Sequence, residues 1–600
     1  MDKRINTLIK KYSNDELALD KLVVAAYVRA NNLKVSEGFL ASYIVDIQDS
    51  INEDIDILSR NFTIEDVINI FELAISESEK TTNGAVYTPK FIRDYVVMQV
   101  LKSAPKPIEK CLCADISCGC GAFLYTLMEQ IHTITNISYR DIVHNLYGVD
   151  ISQTSIGRAK ILLSLVALQK GEIIRQEDFN LFCGDTLAYD FGLWETVKYN
   201  NGIDIIVGNP PYVRSKHIST ETKQNLSLWN TSKGGNADLY IPFFEIGMSL
   251  LNNEGILGYI TVNTFFKSVN ARSLRKYINE NHLYLKLIDF GEQLVFKKKL
   301  AYTCLAFMSK MYSKSLLYAK ATIEDVQQKK ELEYGCLDYE TLDNVRGWNL
   351  NKKEILNNIR LIENAGEHLG TKYIIKNGIA TLANDVFIFK PIKIDAMYYY
   401  LSKNGVVYPI ERDVCREIIK PNILKEESDI PEKEERIIYP YNSENKVISE
   451  DFFSIHFPCA YQYLCSFREV LDARDKGEGD YGAWYAFGRT QAIADKGYKL
   501  LFPYMSDVPH FVYTSQKDMM IYCGYAIYNE SETELLFLKR ILESSVFDYY
   551  MRNTSKPYAA GYYSYAKNYV KNFGLYPFTE EQKKHILSLH SKNNSSLKIE

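Results

Sequence analysis

From residue 111 to residue 308 the chain alternates between short apolar runs and helical segments, and this alternation limits the possible folds more than any other feature. CLCADIS (111–117), LYGVDIS (146–152), FNLFCGD (179–185), IDIIVGN (203–209), ILGYITV (256–262), YLKLIDF (284–290) and AYTCLAFM (301–308) each have the length and apolar content of a buried strand. Helical stretches such as TSIGRAKILLSLVALQK (154–170) lie between several of them. Strands that alternate with helices build a mostly parallel sheet covered on both faces, so the expected class is α/β. The last two runs are close together and are expected to pair as an antiparallel edge.

The flanks differ. Residues 1–80 read as a helical region, with apolar residues at helical spacing in DELALDKLVVAAYVRANN and TIEDVINIFELAISESEK. Thr63 and Asp66 stand at the spacing of a reciprocal helix cap. Gly84 and Pro89 break that pattern and open the α/β domain, expected over 81–311. Residues 312–370 read as a linker region and 371–600 as a second, α+β domain, because charged segments there mix with short aromatic strands. A chain of 600 residues is too long for one core, so several domains are expected.

Four cysteines, Cys111, Cys113, Cys118 and Cys120, crowd the first apolar run. Structural zinc sites favour C-x2-C or longer spacing on turns. Here the pairs are C-x-C, and two cysteines on one strand face sit about 7 Å apart along it. They read as small buried apolar residues, and no metal is expected. The eleven cysteines are an odd number, the start of the chain has no apolar leader, and no run of about 18 apolar residues occurs. Reduced thiols, a cytoplasmic location and no membrane partner are the expectation.

The same stretch is more informative without its sulfur. DISCGCGAF places Gly119 and Gly121 in a tight turn between a strand end and a helix start, where the backbone can approach a ligand. The next strand ends in Asp150, which could accept both hydroxyls of a ribose, and the third in Asp185, which could receive an exocyclic amine. Taken singly, each acid fits a helix cap or a solvated turn equally well. The fourth strand ends in NPPY, in which Pro210 and Pro211 stiffen the turn. Asn209 and the Pro210 carbonyl then offer two acceptors to a planar amine, and Tyr212 offers a ring to stack on it. A nucleobase amino nitrogen is a poor nucleophile because its lone pair is delocalised. Two such hydrogen bonds favour pyramidal nitrogen and free that pair. A proline-rich turn that simply ends a strand is the plainer alternative.

NPPY at 209–212 resembles the signature of S-adenosylmethionine-dependent amino-group methyltransferases, in particular the N6-adenine DNA methyltransferases. The resemblance covers residues 80–310 in order and implies a Rossmann-like domain with a mixed sheet. It gives Tyr87, Thr88 and Pro89 a place beside the cofactor's methionine end, with Asp115, Ser117, Gly119 and Gly121 in the glycine-rich motif. It implies that Asp150 with Ile151 holds the ribose and that Asp185 with Thr186 holds the cofactor adenine. Asn209, Pro210, Pro211 and Tyr212 become the catalytic motif, which also borders the cofactor at Asn209. Asp238, Tyr240 and Phe243 line the pocket, and Phe296, with Tyr302 as second choice, stacks on the flipped base opposite Tyr212.

Cofactor motifs ahead of the catalytic motif, followed by a long domain, are similar to the γ group with a Taq-type specificity domain. Arg474, Lys476, Trp484, Arg489, Arg552, Lys556 and Lys567 are then the candidate contacts to duplex DNA, although each fits a solvated surface equally well. A net charge of −5 does not oppose this, because DNA binding needs only a local basic face. Tyrosine stands at 45 residues against 28 phenylalanines, which suits base stacking and equally suits drift in an AT-rich genome. The first 80 residues show no PD…(D/E)xK pattern, so a methyltransferase without a fused nuclease is expected, a monomer that is either the modification component beside a separately encoded restriction endonuclease or a solitary methylase. RNA adenine and release-factor glutamine are the alternative substrates. A non-catalytic DNA-binding subunit is the alternative of another class.

Overall fold

The structure, a computed structural model, describes residues 3–13, 15–44, 52–75, 88–234, 236–296, 301–490, 493–494 and 496–588. It divides into two compact units, Met1–Leu350 and Asn351–Glu600.

The first unit is built on β1 (Cys113–Asp115), β2 (Leu146–Asp150), β3 (Asn180–Cys183), β4 (Ile203–Gly208), β5 (Leu251–Val262), β6 (Leu283–Asp289), β7 (Thr303–Tyr312), β8 (Ser315–Lys320) and β9 (Gly335–Asp338). They form one sheet in the order β3-β2-β1-β4-β5-β7-β6-β8-β9. β1 to β5 run parallel to their neighbours, β7 enters antiparallel between β5 and β6, and β8 runs parallel to β6. The first seven strands coincide with the seven apolar runs. Every residue of β4 is buried, as expected of a strand covered on both faces. At its foot the Asp204 carboxylate accepts from Leu112 N and from the side-chain amides of Asn200 and Asn252, which ties β1, β4 and β5 together.

Two expectations change. β6 and β7 do pair, but β7 lies inside the sheet rather than at its edge. The segment 312–370 is not a linker: β8 and β9 extend the sheet, and Trp348 is fully buried near Phe265 and Tyr339. SLLYAK and GCLD are short and mixed with polar residues because their outer faces meet solvent, which removes the continuous apolar run by which inner strands are recognised.

The amino-terminal helices belong to the same unit. Thr63 caps Ile64–Leu73: its Oγ1 accepts from Asp66 N, and its N–H donates to Asp66 Oδ2 at 2.9 Å. Helix Gln153–Gln169 is buried nearly all round because it packs on β2 and β3 with one face and on Glu16–Ala30 and Ile64–Leu73 with the other. A buried Arg158–Asp20 pair and a Tyr27 hydrogen bond to Gln169 join these layers.

The second unit is α+β. One four-stranded sheet has the order Ile374–Asn377, Tyr525–Asn529, Tyr498–Phe502, Val512–Thr514, and a second has Ile388–Phe389, Glu435–Ile438, Cys415–Ile419, Met520–Ile521. Among the described residues no helix is long and apolar enough to cross a membrane.

Because β8, β9, Tyr339 and Trp348 complete the first unit, a fragment of residues 1–350 is expected to unfold cooperatively. A fragment ending at 311 loses several buried apolar side chains at about 1.5–3 kcal/mol each and exposes the edge of β6. Urea unfolding checks this, and equal stability of the two fragments contradicts it.

Candidate functional site

Strand order reverses between β1 and β4, and a cavity of about 370 Å³ opens there at the carboxyl ends of β1 to β4. Helices leave the two halves of a parallel sheet in opposite directions at such a point, so packing cannot fill it.

The turn after β1 forms the cavity floor. Gly119 has φ +50° and Gly121 has φ +84°, both in the left-handed region that favours glycine. A Cβ on Gly121 would stand 2.9 Å from the Ala159 Cβ, so this glycine also lets helix Ala122–Thr135 pack against Gln153–Gln169. A Cβ on Gly119 would meet nothing, and this glycine lines the cavity. The turn is clamped to β2: Asp150 Oδ2 accepts from Gly119 N at 2.9 Å and Oδ1 from Ser152 N at 3.0 Å. Burial raises the Asp150 carboxyl, and those two N–H groups oppose the rise.

Asp115 is fully buried at the end of β1, with Oδ1 accepting from Ser117 N at 2.9 Å. Burial pushes its carboxyl up to about 7, the Ser117 N–H pulls the other way, and the Asp150 charge adds to the rise. Cys118 and Cys120 are buried in the same turn, Cys113 in β1 ahead of it and Cys111 just before that strand; burial raises all four thiols. Asp185 and Thr186 reach the cavity from the end of β3. Asp185 Oδ1 accepts from Leu187 N and Oδ2 from Asn225 Nδ2, while Thr186 Oγ1 donates to Ile116 O. Ile151 lines the cavity beside Asp150.

Asn209 lines the cavity from the end of β4, and its Nδ2 donates to Thr88 Oγ1 at 3.0 Å. Thr88 is held in turn, because its carbonyl accepts from Arg93 Nη1. Arg93 is fully buried and its Nη2 donates to both carboxylate oxygens of Glu65 at 2.8 and 2.9 Å. A chain of contacts therefore runs from an amino-terminal helix to the strand-end amide. Pro89 precedes the helix Lys90–Lys102, and Tyr87 lies outside the described residues.

Pro211 lines the cavity and Pro210 is buried beside it. Tyr212 donates through its hydroxyl to Ile260 O at 3.2 Å and meets Phe296 edge-on, with ring centroids 6.0 Å apart and planes at 60°. The two rings touch each other, so the slot expected between them for a base is closed in this structure. Tyr302 stands at the start of β7, where its carbonyl accepts from Asn263 N. Asp238 accepts from Ser215 N and so holds the segment after NPPY, while Tyr240 is buried and Phe243 lines the cavity.

Sequence reading missed two parts of the wall. Helix Thr220–Leu226 and the residues ahead of it fold back over the strand ends, and Ser219, Glu221 and Thr222 line the cavity. Glu16, Glu72 and Arg158 line it from the helical side. The first part has no signature beyond a serine helix cap, and the second becomes visible only when helices distant in sequence come together.

In the second unit, Arg474 is not available to DNA as expected. It is 5% exposed and donates to the carbonyls of Leu471, Thr381, Ala486 and Trp484, with the Tyr481 ring 4.4 Å from its guanidinium. Every direction of the fork is used to hold loops together. Trp484 donates to Glu450 at 2.9 Å and carries Arg468 over its ring. Arg552 pairs with Asp548 and donates to Asp507 O. Arg489 and Lys567 are exposed and Lys556 half-buried; the Lys476 side chain lies outside the described residues.

A family model described as Eco57I restriction-modification methylase matches residues 144–296. The chain is 25% identical over 576 residues to the Type II restriction enzyme and methyltransferase RM.Eco57I of Escherichia coli, covering 80% of this chain and 57% of that protein. It is 24% identical over 560 residues to the Type II methyltransferase M.BstVI of Geobacillus stearothermophilus, covering 86% of this chain and 94% of that protein. The chain thus spans little over half of the first relative and nearly all of the second. Among solved structures, the Type IIL restriction-modification enzyme MmeI in complex with DNA matches with a TM-score of 0.67 at 11% identity, covering 98% of this chain and 89% of that one. A nuclease-deletion mutant of the Type ISP enzyme LlaGI with a DNA substrate mimic matches with a TM-score of 0.57 at 13% identity, covering 98% and 55%. These structural likenesses support the mixed α/β architecture.

The buried Asp115 gives a pH dependence with a definite sign. Its folded-state pKa of about 7 lies above the unfolded value, so its ionisation opposes folding. Asp115→Asn is expected to leave the ligand-free protein's stability unchanged near pH 4. The variant's advantage then grows as pH rises to about 7 and levels off above it, at no more than about 4 kcal/mol. Urea unfolding of both proteins across that range checks this, and an advantage independent of pH contradicts it.

Proposed function

We propose that this chain is a site-specific DNA methyltransferase that moves a methyl group from S-adenosylmethionine to the N6 amino group of an adenine swung out of duplex DNA. The observation that carries the reading is the meeting, in one cavity, of Asn209 from β4 with Asp115, Asp150 and Asp185 from the three neighbouring strands. Similarity to Type II methyltransferases supports the same reading. On this proposed reading the chain falls in the γ group, with the second unit as a Taq-type recognition domain. On the same reading the chain is a cytoplasmic monomer that acts on duplex DNA, either beside a separately encoded endonuclease or as a solitary methylase.

The residues fit the cofactor. A cavity of about 370 Å³ lies in the range of small-ligand sites, and the open side of Gly119 leaves room against its floor. Asp150 would hold the ribose hydroxyls, with Ile151 beside the base, and Asp185 with Thr186 the adenine. When bound, S-adenosylmethionine supplies an electrophilic methyl on a sulfonium.

Asn209 Oδ1 and the Pro210 carbonyl accept the two protons of the target amine. The Asn209 amide cannot turn freely, because its Nδ2 is committed to Thr88, which Arg93 and Glu65 hold. The acceptors thereby direct the nitrogen lone pair at the methyl carbon. With the cofactor bound, the amine would take the methyl that the sulfonium supplies and leave the thioether, and its surplus proton would pass to water. Neutral acceptors act here by position and electrostatics, without becoming protonated themselves. Tyr212 stacks on the target ring, and admitting that ring requires the edge contact between Tyr212 and Phe296 to open.

Asn209→Ala is expected to lower methyl transfer from labelled cofactor to duplex DNA by at least about 100-fold, with affinity for S-adenosylhomocysteine nearly unchanged. Undiminished transfer by the variant rules out the role given to Asn209.

A further inference from the structure

Downstream of NPPY the chain changes the sign of its charge. Between Val213 and Gly234 stand Arg214, Lys216, Lys223 and Lys233, with His217 beside them and Glu221 as the single acid, in a chain whose net charge is −5. Arg214, Lys216, His217 and Lys223 are exposed and stand outside the cavity lining, whereas Glu221 belongs to it. The local field that this segment offers to solvent is therefore positive.

The segment is fastened at the cavity mouth at both ends. Leu239 N donates to Val213 O at 2.9 Å and Ser215 N to Asp238 Oδ1 at 3.0 Å, which fixes the residues just after Tyr212. Asn225 Nδ2 donates to Asp185 Oδ2 at 2.8 Å and Trp229 Nε1 to Leu187 O at 2.9 Å, which ties the far end to the rim at β3. Helical spacing divides the faces between them. Ser219 and Thr222 line the cavity and Leu226 is buried, which leaves Lys223 to solvent. Burial raises the Asp238 carboxyl, and the Ser215 N–H and the Arg214 charge oppose that rise, so Arg214 already serves an acid. Lys216 and Lys223 form no ion pair among the described residues.

We propose that this segment is a docking surface for the DNA backbone, on which Lys216 and Lys223 take the phosphates that flank the swung-out nucleotide. This rests on the methyltransferase reading of the cavity. A base held at Asn209 and Tyr212 stays bonded to its sugar and to the phosphate on either side, so its backbone crosses the rim beside NPPY. There it meets the cations of this segment. Lysine suits a contact that must accept any sequence, because its point charge neutralises phosphate without reading a base edge. None of the residues expected from the sequence to touch DNA lies on this segment. The first unit thus carries a grip of its own on the target strand, next to the chemistry.

The test follows methyl transfer from labelled S-adenosylmethionine to long unmodified phage DNA by the full chain at several salt concentrations. Lys216→Ser with Lys223→Ser is compared with Lys110→Ser with Lys170→Ser. The second pair removes the same charge from exposed lysines far from the rim, one just ahead of β1 and one at the far end of helix Gln153–Gln169. The first pair is expected to raise KM for DNA about tenfold with kcat unchanged, and to make the log–log dependence of kcat/KM on salt shallower by about 2. The second pair is expected to change neither, and both pairs to bind S-adenosylhomocysteine as the unaltered protein does. Equal effects of the two pairs, or an unchanged salt slope in the first, overturn the docking surface and leave the methyltransferase reading standing. Weaker S-adenosylhomocysteine binding by the first pair traces its loss to the cavity and overturns the surface as well. Absence of transfer to DNA by the unaltered protein overturns both.

Discussion

The reversal of strand order between β1 and β4 is the constraint on which the first unit depends. Neighbouring strands run parallel there, so their carboxyl ends share one rim, and the connections diverge on either side. The rim is where Asp115, Asp150, Asp185 and Asn209 emerge, and the low-dielectric floor beneath it is what raises the Asp115 and Asp150 carboxyls. Burying two carboxyl groups beside a glycine turn is costly for an empty protein. A ligand that hydrogen-bonds to them offsets that cost, so the arrangement is better suited to the liganded state than to the free one.

The amino-terminal helices share in this site. One contact chain passes from Glu65 through Arg93 and Thr88 to the Asn209 amide, and another joins Asp20 to Arg158 at the cavity wall. Both chains use arginines that are almost wholly buried, where a planar fork can hold several acceptors in fixed directions. The helical layer orients groups at both ends of the cavity, which explains why the sheet packs so closely against it through Gln153–Gln169.

What the sequence made legible follows from burial. Inner strands are covered on both faces, so β1, β2 and β4 to β7 appear as apolar runs; β3 stands at the sheet's edge with only Leu181 buried, and NPPY stands out because two prolines cannot continue a ladder. β8 and β9 meet solvent on one side and lose that signal, which is why the sheet reached beyond the expected domain end. Arg474 shows the opposite failure. Sequence cannot tell an arginine that faces solvent from one folded inward onto four carbonyls. The closed Tyr212–Phe296 contact was also invisible, since motif spacing carries no information on ring angles.

The central claim is that two neutral acceptors at the end of β4 activate the exocyclic amine of adenine beside a sulfonium. The most direct measurement uses trideuteromethyl-labelled S-adenosylmethionine and unmodified duplex DNA, followed by digestion to nucleosides and mass spectrometry. The account predicts the label in N6-methyldeoxyadenosine and in no other nucleoside. Label in a methylated cytosine, or an absence of label in DNA while the cofactor is consumed, contradicts it.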